Sequence, residues 1–176
     1  SRADVGGDIK TNATIWKYAK AAGYRTVFID AQAQAINNTT HMQNFMTDVE
    51  RKDIDAFYPL SDVAPAGADL ELLDIVAKEL ASPQPVFIYA NKQGMHFPYD
   101  KDYAAASARF HPTESEVPDK TMASMINSYR NAVDANVNGF FAQYVKRIPL
   151  NGLNVIYTSD HGQLFSPGNA THCKSS

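Results

Sequence analysis

Three short, continuous apolar segments, separated by stretches with helical periodicity, constrain the fold of this chain most strongly. They are residues 26–30, 86–91 and 154–158. Apolar runs of this length without alternation are typical of strands that are buried on both faces of a parallel sheet. Strands that alternate with helices favour such a sheet with helices on both of its faces. We therefore predict an α/β fold in which these three segments are adjacent central strands.

The segments between the strands predict helices. Asn12 is expected to cap a first helix that runs through Ala22, and Ile15 and Tyr18 contribute to its apolar stripe. Gly23 is expected to end this helix. Further helices are predicted near residues 41–50, at 69–80 with Asp69 as the cap, and at 121–146, where apolar residues recur most regularly at helical spacing.

Length, charge and composition set limits on the function. The 176 residues suit one domain, and we expect residues 1–176 to be a fragment of a longer chain, because no initiating Met precedes Ser1. A net charge of -3 argues against nucleic-acid binding. No stretch approaches the ~20 apolar residues of a membrane span. Cys173 is the only cysteine, so a disulfide within the chain is impossible.

Chemistry is expected where the predicted strands end, because ligands of open α/β sheets bind just past the carboxyl ends of the strands. Three polar segments occupy those places: 30–32, 91–96 and 159–162. In the last of them Asp160 and His161 precede a glycine that permits a turn. A carboxylate and an imidazole together suit Zn²⁺, so both residues are candidate metal ligands. The alternative is a turn cap by Asp160 beside a surface histidine.

Two further histidines are candidates for the same site. His96 follows the second predicted strand, where a protonated imidazole could hold a phosphoryl group, although a histidine that is merely hydrogen-bonded in a loop is the alternative. His172 follows His161 by eleven residues, and the intervening chain could fold back. His41 and His111 are predicted to be solvated surface histidines.

Several motifs together resemble the phosphoethanolamine transferases of the alkaline phosphatase/sulfatase superfamily. The segment 14–30 is similar to the helix and strand that follow the nucleophile in that family, and 91–99 resembles its Gly-x-His-Gly-Pro-x-Tyr segment. Residues 129–133 resemble a stretch of its long helix, and 160–162 match its metal-binding Asp-His-Gly. The resemblance covers nearly the whole chain and implies an alkaline-phosphatase-like sheet that is incomplete here.

The resemblance also implies roles for these residues. Asp160 and His161 would bind a catalytic zinc ion, and His96 and His172 would line the substrate phosphate site or hold a second metal. The nucleophile, a Thr, and an acidic ligand are expected upstream of Ser1. The implied reaction transfers phosphoethanolamine from phosphatidylethanolamine to a hydroxyl of lipid A or another envelope glycan. It implies a periplasmic domain that is anchored to the inner membrane through a missing N-terminal region.

Two rival functions stay open at this point. A sulfatase or a phosphoglycerol transferase has the same fold, and Asp-His-Gly fits both of them. A non-catalytic α/β binding domain, in which the histidines are incidental, belongs to a different class. Bound zinc in the full-length protein would separate the enzymes from the binding domain.

Overall fold

The computed structural model of the chain describes residues 11–33, 48–166 and, for the backbone alone, 169–172. The fold divides into two compact units, Ser1–Gln93 and Gly94–Ser176. Within residues 11–33 and 48–166, no helix combines the length and the hydrophobicity that a membrane span requires.

The first unit alternates helices with strands. Its elements in chain order are α1 (Ile15–Ala21), β1 (Arg25–Asp30), α2 (Asp48–Arg51), β2 (Ala56–Pro59), α3 (Pro65–Leu80) and β3 (Val86–Asn91). The three strands form a parallel sheet in the order β2-β1-β3. The predicted strands at 26–30 and 86–91 are therefore confirmed as neighbours, and β1 is the central strand.

Helices cover both faces of this sheet, as the alternation predicted. On one face, Trp16 of α1 lies 6.0 Å from the ring of Phe28, measured between centroids. On the other face, Glu79 of α3 accepts a hydrogen bond from Tyr58 Oη at 2.5 Å and pairs with Arg25. The α/β class with a parallel sheet between helices is thus confirmed.

Helix α1 begins two residues later than predicted and buries a different face. Thr14 is the N-cap and accepts a hydrogen bond from Lys17 N, so the prediction of Asn12 as the cap was wrong. Ile15 is 53% exposed and Tyr18 is 68% exposed, whereas Trp16 is only 3% exposed. The buried face consists of Trp16 and Ala19, so Ala19 is the one member of the predicted stripe that is buried, and the Trp16 indole provides most of the packing area.

Helix α3 also begins earlier than predicted, at Pro65, whose missing N–H costs nothing in the first turn of a helix. Asp69 therefore lies inside the helix and is not its cap. Its carboxylate instead accepts hydrogen bonds from Lys92 Nζ and Gln93 N, both at 2.7 Å. Asp69 thus fastens α3 to the chain that leaves β3.

The second unit is built on one long helical stretch. Its elements are two 3₁₀ turns (Tyr99–Lys101 and Ala105–Ser107), α4 (Met122–Val133), a π-helical turn (Asp134–Asn138), α5 (Gly139–Arg147) and an antiparallel pair, β4 (Gln163–Ser166) with β5 (Asn169–His172). Thr121 and Ser124 form a reciprocal capping box at the start of α4. The predicted helix over 121–146 is confirmed, with a π turn that periodicity did not indicate.

The third predicted strand, 154–158, was wrong. These residues have no regular secondary structure, and Ile156 is 93% exposed. An apolar run becomes a strand only where a neighbour pairs its main chain, and the described sheet takes β2 as its third strand. Tyr157 packs instead on Phe141 of α5, with the ring centroids 4.9 Å apart.

Candidate metal and phosphoryl site

The carboxyl edge of the sheet in the first unit carries a buried polar cluster. Asp30, only 1% exposed, accepts hydrogen bonds at Oδ1 from Asn91 Nδ2 at 2.8 Å and from Gln32 N at 3.1 Å. Gln32 Nε2 in turn donates to Lys92 O at 2.8 Å. The strand ends at 30–32 and 91–92 are therefore joined, as their position at one edge predicted.

The Lys92 ammonium next to this cluster is largely withdrawn from water. Burial lowers the pKa of Lys92, and the carboxylate of Asp69, 2.7 Å from its Nζ, acts in the opposite direction. The ion pair between Lys92 and Asp69 therefore links helix α3 to the residues that follow β3.

In the second unit, the side chains of Asp160 and His161 lie side by side, and Asp160 Oδ1 also accepts a hydrogen bond from His161 N at 3.0 Å. His161 Nε2 lies 3.7 Å from Asp160 Oδ1, and both residues are exposed. His161 Nδ1 lies 3.0 Å from the carbonyl oxygen of Gly162. In a neutral ring the proton at Nδ1 is donated to that carbonyl, which leaves the lone pair on Nε2.

The 3.7 Å between His161 Nε2 and Asp160 Oδ1 is about 0.1 Å longer than the separation of two ligands on one zinc ion. Donors that each bind zinc at ~2.0–2.2 Å in a tetrahedral arrangement lie about 3.3–3.6 Å from each other. The tautomer set by the Gly162 carbonyl is the one that a ligating Nε2 needs. A complete site needs more ligands, and within residues 11–33 and 48–166 no three His, Cys, Asp or Glu side chains come together to hold an ion.

His96 lies in a turn that is closed by a carboxylate. Its backbone N–H donates to Asp102 Oδ2 at 2.7 Å, and its side chain is exposed. The backbone N–H of Asp102 donates to Tyr99 O at 3.0 Å. The turn between them is compact, so the main chain of His96 has a defined place.

Three aromatic rings connect the His96 turn to the chain that follows His161. Tyr99 is 3% exposed, and its ring lies 5.1 Å from that of Tyr129 in α4. Phe165 of β4 lies 5.2 Å from Tyr129 and 6.3 Å from Tyr99. The ring of Tyr99 is withdrawn from water, and this burial is the main cause that raises the pKa of Tyr99 to about 12. The two predicted site segments are thus held in one part of the unit.

The β4–β5 hairpin returns the chain toward the same segment. Gln163 pairs with His172 across the hairpin, so the backbone of His172 lies beside a residue that is two positions after His161. This return agrees with the expectation that residues 162–168 fold back. The roles of His96 and His172 stay predictions, as do those of Asp160 and His161.

His111 is a surface histidine, as predicted, and it has a charged partner. Its Nδ1 lies 2.9 Å from Glu116 Oε1, and its Nε2 lies 3.2 Å from Ala108 O. The hydrogen bond to Glu116 is the largest cause that raises the pKa of His111. His41 and Cys173 lie outside the described residues.

The Glu116→Gln substitution is expected to lower the pKa of His111 toward the ordinary histidine value of about 6.5. Because the folded-state pKa is raised, the pair stabilises the fold fully below the unfolded value and loses that effect as pH rises through the folded value. An NMR titration of the histidine ring protons measures the shift, with the other histidines as internal references. An unchanged His111 titration would contradict the assignment of the pair.

Comparison with known proteins agrees with this architecture. The sequence model of the family described as Sulfatase matches residues 2–176. No curated protein matches the chain. Among solved structures, the C-terminal periplasmic domain of EcEptC from Escherichia coli in complex with Zn superposes with a TM-score of 0.56 at 23% identity, over 78% of this chain and 39% of that chain. A second structure of that domain gives a TM-score of 0.54 at 23% identity, over 77% and 38%.

The sulfatase family match, together with the parallel sheet between helices, places the chain in the alkaline phosphatase/sulfatase superfamily. The chain belongs to the sulfatase family, an enzyme family of the hydrolase and transferase type. It spans well under half of the length of the solved domains that it matches. The superfamily and the fold inferred from the sequence are confirmed.

Proposed function

We propose that this domain is part of an enzyme that transfers phosphoethanolamine from phosphatidylethanolamine to a hydroxyl of lipid A or another envelope glycan. The observation that carries the proposal is the pair of donor atoms in Asp160 and His161, 3.7 Å apart, with Nδ1 of His161 bound to Gly162 O. Family membership supports the superfamily. The EcEptC fold and the motifs of segment 91–99 support the transferase branch.

In this proposal each candidate residue has a limited task. Asp160 and His161 would hold a zinc ion, and the carbonyl of Gly162 would keep the His161 ring in the ligating tautomer. When bound, zinc lowers the pKa of the attacking hydroxyl and neutralises charge on the phosphoryl oxygens. His96 donates a hydrogen bond to the phosphoryl group, and His172 lines the same site. The attacking Thr is expected outside this chain.

The proposed setting is the periplasmic face of the inner membrane, where phosphatidylethanolamine and the acceptor glycan meet. The EcEptC domain, whose fold is similar, is periplasmic, and this supports the location. The protein would contact the membrane through a region outside the described residues. Nucleic acid is not a partner in the proposed reaction.

The test is a transfer assay with the full-length protein and vesicles that contain phosphatidylethanolamine and lipid A, followed by mass spectrometry of the lipid A. We expect a mass gain of one phosphoethanolamine group that a zinc chelator prevents and added zinc restores. Release of sulfate from an aryl sulfate would instead identify a sulfatase, and transfer from phosphatidylglycerol would identify a phosphoglycerol transferase. Absence of both turnover and bound zinc would indicate a non-catalytic binding domain.

The 176-residue chain by itself is expected to fold but to bind zinc weakly and to show no transferase activity. A catalytic zinc takes three or more protein ligands, and the geometry here supplies two. Isothermal titration with zinc at neutral pH measures this affinity. Nanomolar one-to-one binding that is lost in Asp160→Ala would show that the chain carries a complete site.

A further inference from the structure

The Asp102 carboxylate holds the main chain of His96 directly. The distance from His96 N to Asp102 Oδ2 is 2.7 Å, a short bond for a neutral donor and a charged acceptor. Asp102 is half-buried, and burial is the first cause that raises its pKa, while the hydrogen bond from His96 acts in the opposite direction. Because this partly desolvated carboxylate accepts a hydrogen bond from the backbone N–H of His96, it restricts the main-chain conformation of His96.

Asp102 is itself fastened to the long helix. Its carbonyl oxygen accepts a hydrogen bond from Asn136 Nδ2 at 2.8 Å, and the same nitrogen lies 3.0 Å from Ala132 O. Asn136 belongs to the π turn, where Gly139 N donates to Asp134 O across five residues. Such turns insert a residue into a helix and are frequent at functional sites. The side-chain amide of Asn136 therefore joins the π turn to the main chain of Asp102.

Packing of Tyr99 also fixes the His96 turn. Tyr99, between His96 and Asp102, is buried against Tyr129 and Phe165. The His96 turn is thus fixed by a hydrogen bond at Asp102 and by packing at Tyr99, while the imidazole of His96 stays exposed to a ligand. A turn that is ordered before binding spares the entropy of ordering it in the complex.

We propose that Asp102 is a positioning residue: its carboxylate fixes His96, and Asn136 fixes Asp102, so that the imidazole meets the phosphoryl group of the substrate at a set place. The inference rests on the proposed function, because that function assigns His96 to the phosphoryl group. Asp102 touches no substrate and acts only through His96.

Two substitutions of Asp102 separate its hydrogen bond from its charge. Asp102→Ala removes both, whereas the side-chain oxygen of Asp102→Asn can still accept from His96 N. Asp119→Ala is the matched control, since it removes an exposed carboxylate from the same unit. Circular dichroism and thermal unfolding show whether each variant keeps the fold, and Asp102→Asn keeps the test decisive if Asp102→Ala does not fold.

The readouts are hydrogen exchange of the His96 amide and the shift of the His96 ring signals during titration with inorganic phosphate, both by NMR. We expect exchange to be roughly tenfold faster in Asp102→Ala, and phosphate binding to be weaker by roughly three- to tenfold. Asp102→Asn should bind phosphate within about twofold of the wild-type protein, and Asp119→Ala should match the wild-type protein in both readouts.

The outcomes distinguish this inference from the proposed function. If the wild-type protein responds to phosphate at His96 and Asp102→Ala responds equally, the inference fails and the proposed function stands. If exchange rises but phosphate affinity does not change, Asp102 is structural only, and the inference again fails. If phosphate leaves the wild-type His96 signals unchanged, the role of His96 in the proposed function is wrong, and the inference falls with it.

Discussion

The His161→Ala substitution is expected to lower the zinc affinity of the full-length protein by at least about 100-fold and to abolish transfer. Substitution of a group that merely orients a metal ligand already costs about 10- to 100-fold, so loss of the donor atom itself should cost at least as much. Isothermal titration with zinc and the lipid A mass assay measure the two effects. The expectation follows from His161 Nε2, which lies 3.7 Å from Asp160 Oδ1.

His111→Ala is the matched control for this substitution. It removes a second exposed histidine of the same unit, whose ring is bound to Glu116 and Ala108. We expect it to leave zinc affinity and transfer unchanged within about twofold, as for a surface change outside the site. If His161→Ala retained the affinity of the wild-type protein, the assignment of the zinc site would be wrong.

The Trp16→Ala substitution is expected to destabilise the protein by about 3–5 kcal/mol, the range for truncation of a buried aromatic residue. Trp16 is 3% exposed and lies 5.7 Å from the ring of Phe87 and 6.0 Å from that of Tyr89, in addition to its contact with Phe28. Removal of the indole leaves a cavity between α1 and three rings of the sheet. Urea denaturation followed by far-ultraviolet circular dichroism measures the change.

Tyr18→Ala on the same helix provides the control for Trp16. Its side chain is 68% exposed, so the expected change in the free energy of unfolding is within about 0.5 kcal/mol. Equal losses for the two substitutions would mean that α1 does not pack on the sheet through Trp16.

The central pair of strands could be predicted from the sequence because their burial is complete. Residues 26–30 lie between two helices, and Val27 and Ile29 have no exposed surface, so hydrophobicity alone identifies such a strand. The neighbour β3 was found for the same reason. The strand β2 was missed because it contributes only four residues, ends in a proline and is half-exposed, which leaves little local signal.

Segment 154–158 shows the limit of the same argument. Its residues are as apolar as those of β1, but a strand is completed by hydrogen bonds to a neighbour, and hydrophobicity does not specify that neighbour. The predicted starts of α1 and α3 were wrong for a related reason: local sequence alone did not identify the first residue of either helix. Asn12 and Asp69 have the side chains of good caps, yet Thr14 caps α1 and Pro65 begins α3.

Parts of the candidate site that depend on adjacent residues were predictable, whereas those that depend on tertiary contacts were not. Asp160 and His161 are neighbours in sequence, so they are close together in any fold. The carboxylate of Asp102, six residues after His96, was missed because no motif marks a side chain that binds a backbone N–H. The contact of Tyr99 with Phe165 joins residues that are far apart in sequence, so no local pattern predicted it.

The burial of Trp16 also has a practical consequence for spectroscopy. It is the only tryptophan among the 176 residues, and it lies in the unit Ser1–Gln93. Selective excitation of the indole therefore reports on the packing of α1 against the sheet, with the blue-shifted emission of a ring surrounded by Phe28, Phe87 and Tyr89. The unit with the candidate zinc ligands emits no indole light. A loss of the blue shift in urea would thus report the separation of α1 from the sheet within the first unit.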